Sequence, residues 1–259
     1  MKNITFCFLY HGEETAQDCL GAVAPFIDNF TFQKVINVSP QVKALNQMIE
    51  QVETKYLVPL DADMILNPDA PKRIVSAIEN NAEDWHSILF PLWDTFTNRK
   101  IYALKILRTE LLKQNLFSDS RTPDIEHFSR LESAGYKAIN YFEEQPIGKH
   151  VLKGKFFCYH KYKDVYLTLR THNREWDSGV FLGGRTLKEK SKKHFDFFVF
   201  NRIMSDNEDY SWALAGMVDG ITMPVESQSK NLSDNLPDTY NTAIDRYLAW
   251  YMKQNYIMS

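Results

Sequence analysis

The segment KYLVPLDADMILNPD, residues 55–69, runs an apolar stretch straight into two aspartates one residue apart. YLVPL, residues 56–60, is short and apolar, which predicts a buried β-strand. After Asn67-Pro68 a helix is expected through about Glu79. Asp61 and Asp63 therefore fall at the carboxyl end of a strand, the edge of a parallel α/β sheet beyond which ligands bind.

The flanking sequence supplies the rest of such a sheet. ITFCFLY, residues 4–10, reads as a first strand, and Ala16, Leu20, Val23 and Ile27 recur at helical spacing behind it. KVINV, residues 34–38, reads as a second strand. Ser39-Pro40 supplies an N-cap and a proline at the first position of a helix whose apolar stripe is Val42, Leu45, Ile49 and Val52. Three strand–helix repeats predict a parallel sheet covered on both faces.

Further on, SILFPLW and IYALKILR read as strands, TELLKQN starts a short helix, and DIEHFSRLESAGYKAINY reads as a helix stopped at Gly135 and followed by a strand. Past residue 160 the texture changes to aromatic-rich helical segments, expected over residues 161–174, 188–204, 210–218 and 239–254. The expected organisation is an α/β region, residues 1–155, and a mostly helical region, residues 156–259.

Composition limits the classes of function. With 259 residues, 44% hydrophobic and 24% charged, the chain has enough apolar residues for a large core. No apolar run approaches the roughly 20 residues that span a bilayer, and MKNITFCFLYHGEE turns polar too early for a signal peptide, so a cytoplasmic protein without stable membrane insertion is expected. Cys7, Cys19 and Cys158 are scattered and lack CxxC spacing, which argues against a disulfide framework and a zinc site. Residues 1–150 carry 15 Lys and Arg against 20 Asp and Glu, while the remainder carries 15 against 13, so total charge announces no polyanion partner. One basic run, GGRTLKEKSKKH at residues 183–194, reads either as a solvated helix face or as a phosphate contact.

Two carboxylates at i and i+2 can face one divalent cation where a strand bends as it ends. Hard oxygen donors suit Mg²⁺ or Mn²⁺, ions that also bridge phosphate oxygens, which points to a nucleotide-diphosphate donor. An EF-hand fails on spacing, because Leu66 stands where glycine is needed and Lys72 where the bidentate glutamate belongs.

YLVPLDADMILNPDAPKRIV resembles the segment that carries the DxD motif in family-two, GT-A-fold glycosyltransferases. IYALKILRTELLKQ is similar to a second block of that family. In TPDIEHFSRLESAGYKAINYFEEQPIGKHV, Asp124, Arg130 and Gly135 reproduce the spacing of a third. The resemblance covers about residues 4–150. It implies a GT-A, Rossmann-like, mixed and mainly parallel sheet, and transfer of a sugar from a nucleotide-diphosphate donor, a UDP-sugar first, with Mn²⁺ or Mg²⁺ as cofactor.

Residue by residue, Asp61 and Asp63 match the metal and ribose carboxylates, Asp63 being the direct ligand. Asp124 matches the general base of inverting members. Pro123 replaces the glutamate that usually precedes it, so Glu126 is a second candidate. His150 in GKHV falls where a third metal ligand often lies, or is an ordinary surface histidine. Tyr10, Gly12 and Glu13 resemble the turn beneath the nucleotide base, with Tyr10 either stacking on the base or filling core. Lys43 and Asn46 in KALN resemble a donor-facing helix segment. INVSPQ stands where the family commonly has an aspartate-rich turn that reads the base, which leaves the nucleotide open.

Trp93, Trp176 and the polar, aromatic THNREWDSG stretch are candidates for stacking or for an acceptor loop, against the plainer reading of packing residues. The acceptor is a glycan, a protein or modified DNA, including the hydroxymethylated bases of phage-type modification. The competing classes are a nucleotidyltransferase of similar architecture, which a glycine-rich basic loop after the first strand would favour and LYHGEET lacks, and a non-catalytic nucleotide-sugar-binding module.

Overall fold

A computed structural model describes residues 3–81, 84–120, 122–141, 145–171, 187–223, 236–237 and 239–256. They pack as two compact units, the first ending at Leu152 and the second starting at Lys153.

The first unit is built from β1 (Ile4–Tyr10), α1 (Ala16–Val23), β2 (Thr31–Ile36), α2 (Gln41–Gln51), β3 (Tyr56–Asp61), β4 (Met64–Leu66), α3 (Ala70–Glu79), β5 (Trp85–Asp94), β6 (Arg99–Arg108), α4 (Thr109–Gln114), α5 (Pro123–Ser133), β7 (Lys137–Asn140) and β8 (Gly148–His150). The strands form one sheet in the order β2-β1-β3-β6-β5-β8-β4, with β7 added beside β5. β1 pairs in parallel with β2 and β3, and β5 does so with β7 and β8. The three remaining pairings, β3 with β6, β5 with β6 and β4 with β8, are antiparallel. This is the mixed, mainly parallel sheet flanked by helices that the resemblance implies.

β1 is apolar apart from Thr5, whose buried hydroxyl bonds that of Thr54 at 2.7 Å, because both sheet faces are covered. Ile4, Phe6 and Phe8 enter one core with Val58, Leu60, Leu104 and Ile106. Cys7 enters the other with Leu57, Leu107, Met48 and Ile49 of α2, and Phe117. Two details depart from expectation. Pro40, expected as the first helical residue after an N-cap at Ser39, is instead the extended N-cap of α2, which starts one position later at Gln41, so the ring ends the approach instead of starting the helix. The three-residue strands β4 and β8 have no counterpart in the sequence reading, because they are too short to show a period.

The second unit holds α6 (Lys155–Thr171), α7 (Leu187–Ser205), α8 (Asp209–Thr222) and α9 (Ala243–Tyr256). A Cβ at Gly216 or Gly220 of α8 would strike the α6 backbone at Tyr159 or Lys163, so these glycines set the close approach of the two helices. Asp219, on the same helix, is buried but accepts a hydrogen bond from the Tyr159 hydroxyl at 2.6 Å and pairs with Arg246 at 2.7 Å. Of the basic run, residues 183–186 lie outside the described residues. Lys188 sits over the Tyr251 ring, Lys192 pairs with Asp196, and His194 meets the Tyr166 hydroxyl at 2.9 Å. Trp176 and residues 172–179 of the THNREWDSG stretch also lie outside the described residues. Among the described residues no helix is long and apolar enough to cross a membrane.

Candidate functional site

Backbone hydrogen bonds fix the bend that carries the aspartate pair. Where β3 ends, the Ala62 N–H donates to Leu9 O at 2.9 Å and the Thr15 hydroxyl donates to Ala62 O at 2.9 Å. The chain then leaves β1 and β3 and becomes β4, which pairs with β8, and Val151 N–H donates to Asp63 O at 2.8 Å. Asp63 is thus held from both sides. Asn67 and Arg73 bind the backbone carbonyls just before β8, Asn67 Nδ2 and Arg73 Nη1 both reaching Pro146 O, at 3.0 and 3.2 Å. These contacts set His150 beside the bend, 87 residues after Asp63 in the chain.

The side chains meet there. His150 Nε2 lies 3.1 Å from Asp63 Oδ2, and His150 Nδ1 lies 2.8 Å from Asp94 Oδ1. Asp94 and His150 are register partners on β5 and β8, which puts them on one face of the sheet. Both are about 6% exposed. The other Asp94 oxygen accepts the Thr97 N–H at 3.1 Å and the Thr97 hydroxyl. Burial pushes the Asp94 carboxyl upward, but the hydrogen bonds from His150 and Thr97 outweigh it and hold the group below its ordinary range.

The neighbourhood is electronegative. Glu13 folds back to accept the His11 N–H at 2.7 Å, and burial lifts its carboxyl above the ordinary range against that bond, with the charge of Asp63 adding to the lift. Burial pushes the Cys7 and Cys19 thiols up to about 12, and the charge of Asp61 adds for Cys7, those of Asp63, Asp61 and Glu13 for Cys19. Both thiols are therefore unreactive at neutral pH. Acidic groups converging on one strand end favour a cation.

The sequence candidates divide. Asp63 and His150 are brought together, with Glu13 near enough for its charge to be felt. Asp61 is exposed at the end of β3, and among the described residues no three His, Cys, Asp or Glu side chains form a ready cation cage. Gly12 is exposed beside Glu13 in the turn after β1, with φ of 101°. Tyr10 is half-buried against the core and stacks on Phe8. Lys43 is exposed on α2, while the Asn46 amide exchanges two hydrogen bonds with the Phe117 backbone, at 3.0 and 2.9 Å.

Asp124 sits in the first turn of α5, an end that favours negative charge, and pairs with Lys105 of β6 at 2.9 Å. Glu126 accepts the Ser118 hydroxyl at 3.0 Å. Trp93 is 36% exposed at the end of β5.

Asp94 is the residue that sequence reasoning missed. LFPLWD repeats the signal of YLVPLD, an apolar strand ending in an acid, but one aspartate without a second gave no motif.

Asp63 and His150 fit a divalent ion as two of its donors, one oxygen and one nitrogen, a set compatible with Mn²⁺. A buried carboxylate on the second ring nitrogen is the usual support of a metal-binding histidine. The remaining positions would fall to phosphate oxygens or water.

No protein-family model and no curated protein matches this sequence. Among solved structures the chain is similar to the mannosyltransferase PcManGT from Pyrobaculum calidifontis in complex with GDP-Man and Mn²⁺, at 14% identity and TM-score 0.48, over 99% of this chain and 85% of that one. It is also similar to residues 1-349 of TarS from S. aureus, at 14% identity and TM-score 0.43, over 86% and 81% of the two chains. A cytidylyltransferase from Leptospira borgpetersenii is similar at 11% identity and TM-score 0.42, over 76% and 96%.

Proposed function

We propose that this chain is a metal-dependent glycosyltransferase that moves a sugar from a nucleotide-diphosphate donor to an acceptor hydroxyl, with inversion. The observation that carries this reading is the juxtaposition of Asp63 and His150 at the carboxyl end of β3, 3.1 Å apart, with the Glu13 carboxyl close enough to feel the charge of Asp63. Asp63 and His150 would hold Mn²⁺ or Mg²⁺, with Asp61 toward the ribose or the ion. The ion supplies charge neutralisation on the diphosphate as the anomeric bond breaks.

The chain's own residues do the remaining work. Asp124 receives the proton of the acceptor hydroxyl as the oxygen attacks the anomeric carbon and the nucleoside diphosphate departs. Lys105 holds that carboxylate in place between turnovers. Gly12 and Glu13 shape the turn after β1 beneath the base, where Tyr10 and Lys43 are also assigned. That turn spends the His11 N–H on the Glu13 carboxylate instead of presenting it to a phosphate, which favours glycosyl transfer over nucleotidyl transfer. The acceptor is a glycan, a protein or modified DNA that presents the attacking hydroxyl.

Nucleotide release from a panel of nucleotide sugars, with and without Mn²⁺, tests the reading. Asp63→Ala should remove metal-dependent release and leave the thermal midpoint near that of the parent. Full release by that variant contradicts the assignment.

A further inference from the structure

The geometry points to Asp94 as the positioning residue of this site: it fixes His150 with the proton on Nδ1 and so presents an Nε2 lone pair to the cation shared with Asp63. The inference rests on the metal-dependent reading above and deepens it.

A neutral imidazole has one donor and one acceptor nitrogen, and a carboxylate only accepts. With Asp94 Oδ1 2.8 Å from Nδ1, that nitrogen donates, and in the neutral ring Nε2 is then the acceptor; Asp63 Oδ2, 3.1 Å from Nε2, only accepts as well, so a cation shared by the two is what lets the ring stay neutral. Nε2 is also the nitrogen that faces Asp63, so the two proposed ligands point at a common place. The end of β5 grips the histidine twice, since Thr95, next to Asp94, donates its N–H to His150 O at 3.0 Å and its hydroxyl to the same oxygen at 3.2 Å. Asp94 is itself held, because Thr97 brings two donors to Oδ2 and leaves the carboxylate only Oδ1 for the ring.

That arrangement makes Asp94→Asn informative. The asparagine keeps the shape, but its single oxygen is required by the two Thr97 donors, so its NH₂ faces Nδ1. Nδ1 must then accept and the proton moves to Nε2, which turns the metal-facing nitrogen into a donor. A residue that served only packing would not produce this reversal.

The test titrates Mn²⁺ alone into the full-length parent, Asp94→Asn, His150→Gln and Asp63→Ala, reading free Mn²⁺ by electron paramagnetic resonance and the imidazole ¹⁴N coupling of the bound ion by pulsed methods. The expected result is a nitrogen coupling in the parent. Asp94→Asn should lose it and bind Mn²⁺ roughly 10- to 100-fold more weakly, as His150→Gln does. Parent-like affinity and coupling in Asp94→Asn, while His150→Gln loses both, overturns the positioning role and leaves the metal reading standing. A parent that binds no Mn²⁺ overturns the metal reading and this inference with it. A second measurement needs no stable Asp94 variant: ¹⁵N spectra of the Mg²⁺-loaded parent, with His150 assigned by its absence in His150→Gln, should show a protonated Nδ1 and an unprotonated Nε2. The opposite tautomer overturns the proposal.

Discussion

Gly148 shows how little room the backbone around His150 has. A Cβ there would meet Ile65 O at 2.5 Å and Leu66 Cα at 2.9 Å, both backbone atoms of β4 that cannot swing aside. Gly148→Ala should force β8 away from β4, cost about 1–3 kcal/mol as overpacking does, and weaken Mn²⁺ binding by displacing His150. Chemical denaturation and an Mn²⁺ titration of that variant check both effects, and unchanged metal affinity would contradict the tight coupling of β8 to the site. At this scale the sequence is unevenly legible. Asp61 and Asp63 stand out because an apolar strand runs into paired acids. Asp94 does not, since its partner lies 56 residues away and only the β5–β8 register joins them.

Helix α5, which carries Asp124, docks on the sheet through a buried aromatic cluster that contains two histidines. His127 is fully buried with its ring 4.6 Å from Phe117 and 5.6 Å from Phe128, while His86 of β5 stacks on Phe128 at 5.1 Å. Burial pushes His127 down to about 4 from 6.5, and the charges of Arg130 and His86 add to it. Burial also lowers His86, against the opposing charge of Glu132.

Because the folded pKa lies below the unfolded one, the unfolded chain binds the proton first. The stability from a neutral His127 is then fully present above about pH 6.5 and is lost as pH falls through 4, a contribution of about 3 kcal/mol at 1.36 kcal/mol per unit. Urea midpoints measured from pH 7 to 4 should fall less steeply in His127→Leu than in the parent, and identical slopes would contradict this. Most elements were legible because their periods are long or their ends are marked, α3 by its proline start and α5 by its stop at Gly135. β4 and β8 were not, because three residues carry no period and pairing partners far along the chain define them.

At the scale of the molecule the chain forms two compact units, and every residue assigned to the chemistry belongs to the first. The close approach of α8 to α6 at Gly216 belongs to the second, so Gly216→Ala in the full chain should lower the unfolding midpoint and leave Mn²⁺ affinity within about threefold of the parent below that transition. Calorimetry with an Mn²⁺ titration reads both, and loss of metal binding in the folded variant would contradict the assignment of the site to the first unit alone. The boundary expected near residue 155 rests on a change in the sequence from strand–helix alternation to aromatic helices. The donor nucleotide was not, because INVSPQ offers no acidic turn to read.

Thermal unfolding of the purified chain with UDP-, GDP-, dTDP- and CMP-sugars, with and without Mn²⁺, beside Asp63→Ala, tests the central claim most directly. The account predicts that one donor raises the midpoint only when Mn²⁺ is present, by an increment that grows with ligand concentration and vanishes in the variant. A donor that stabilises the parent and Asp63→Ala equally, with no dependence on the metal, would contradict it.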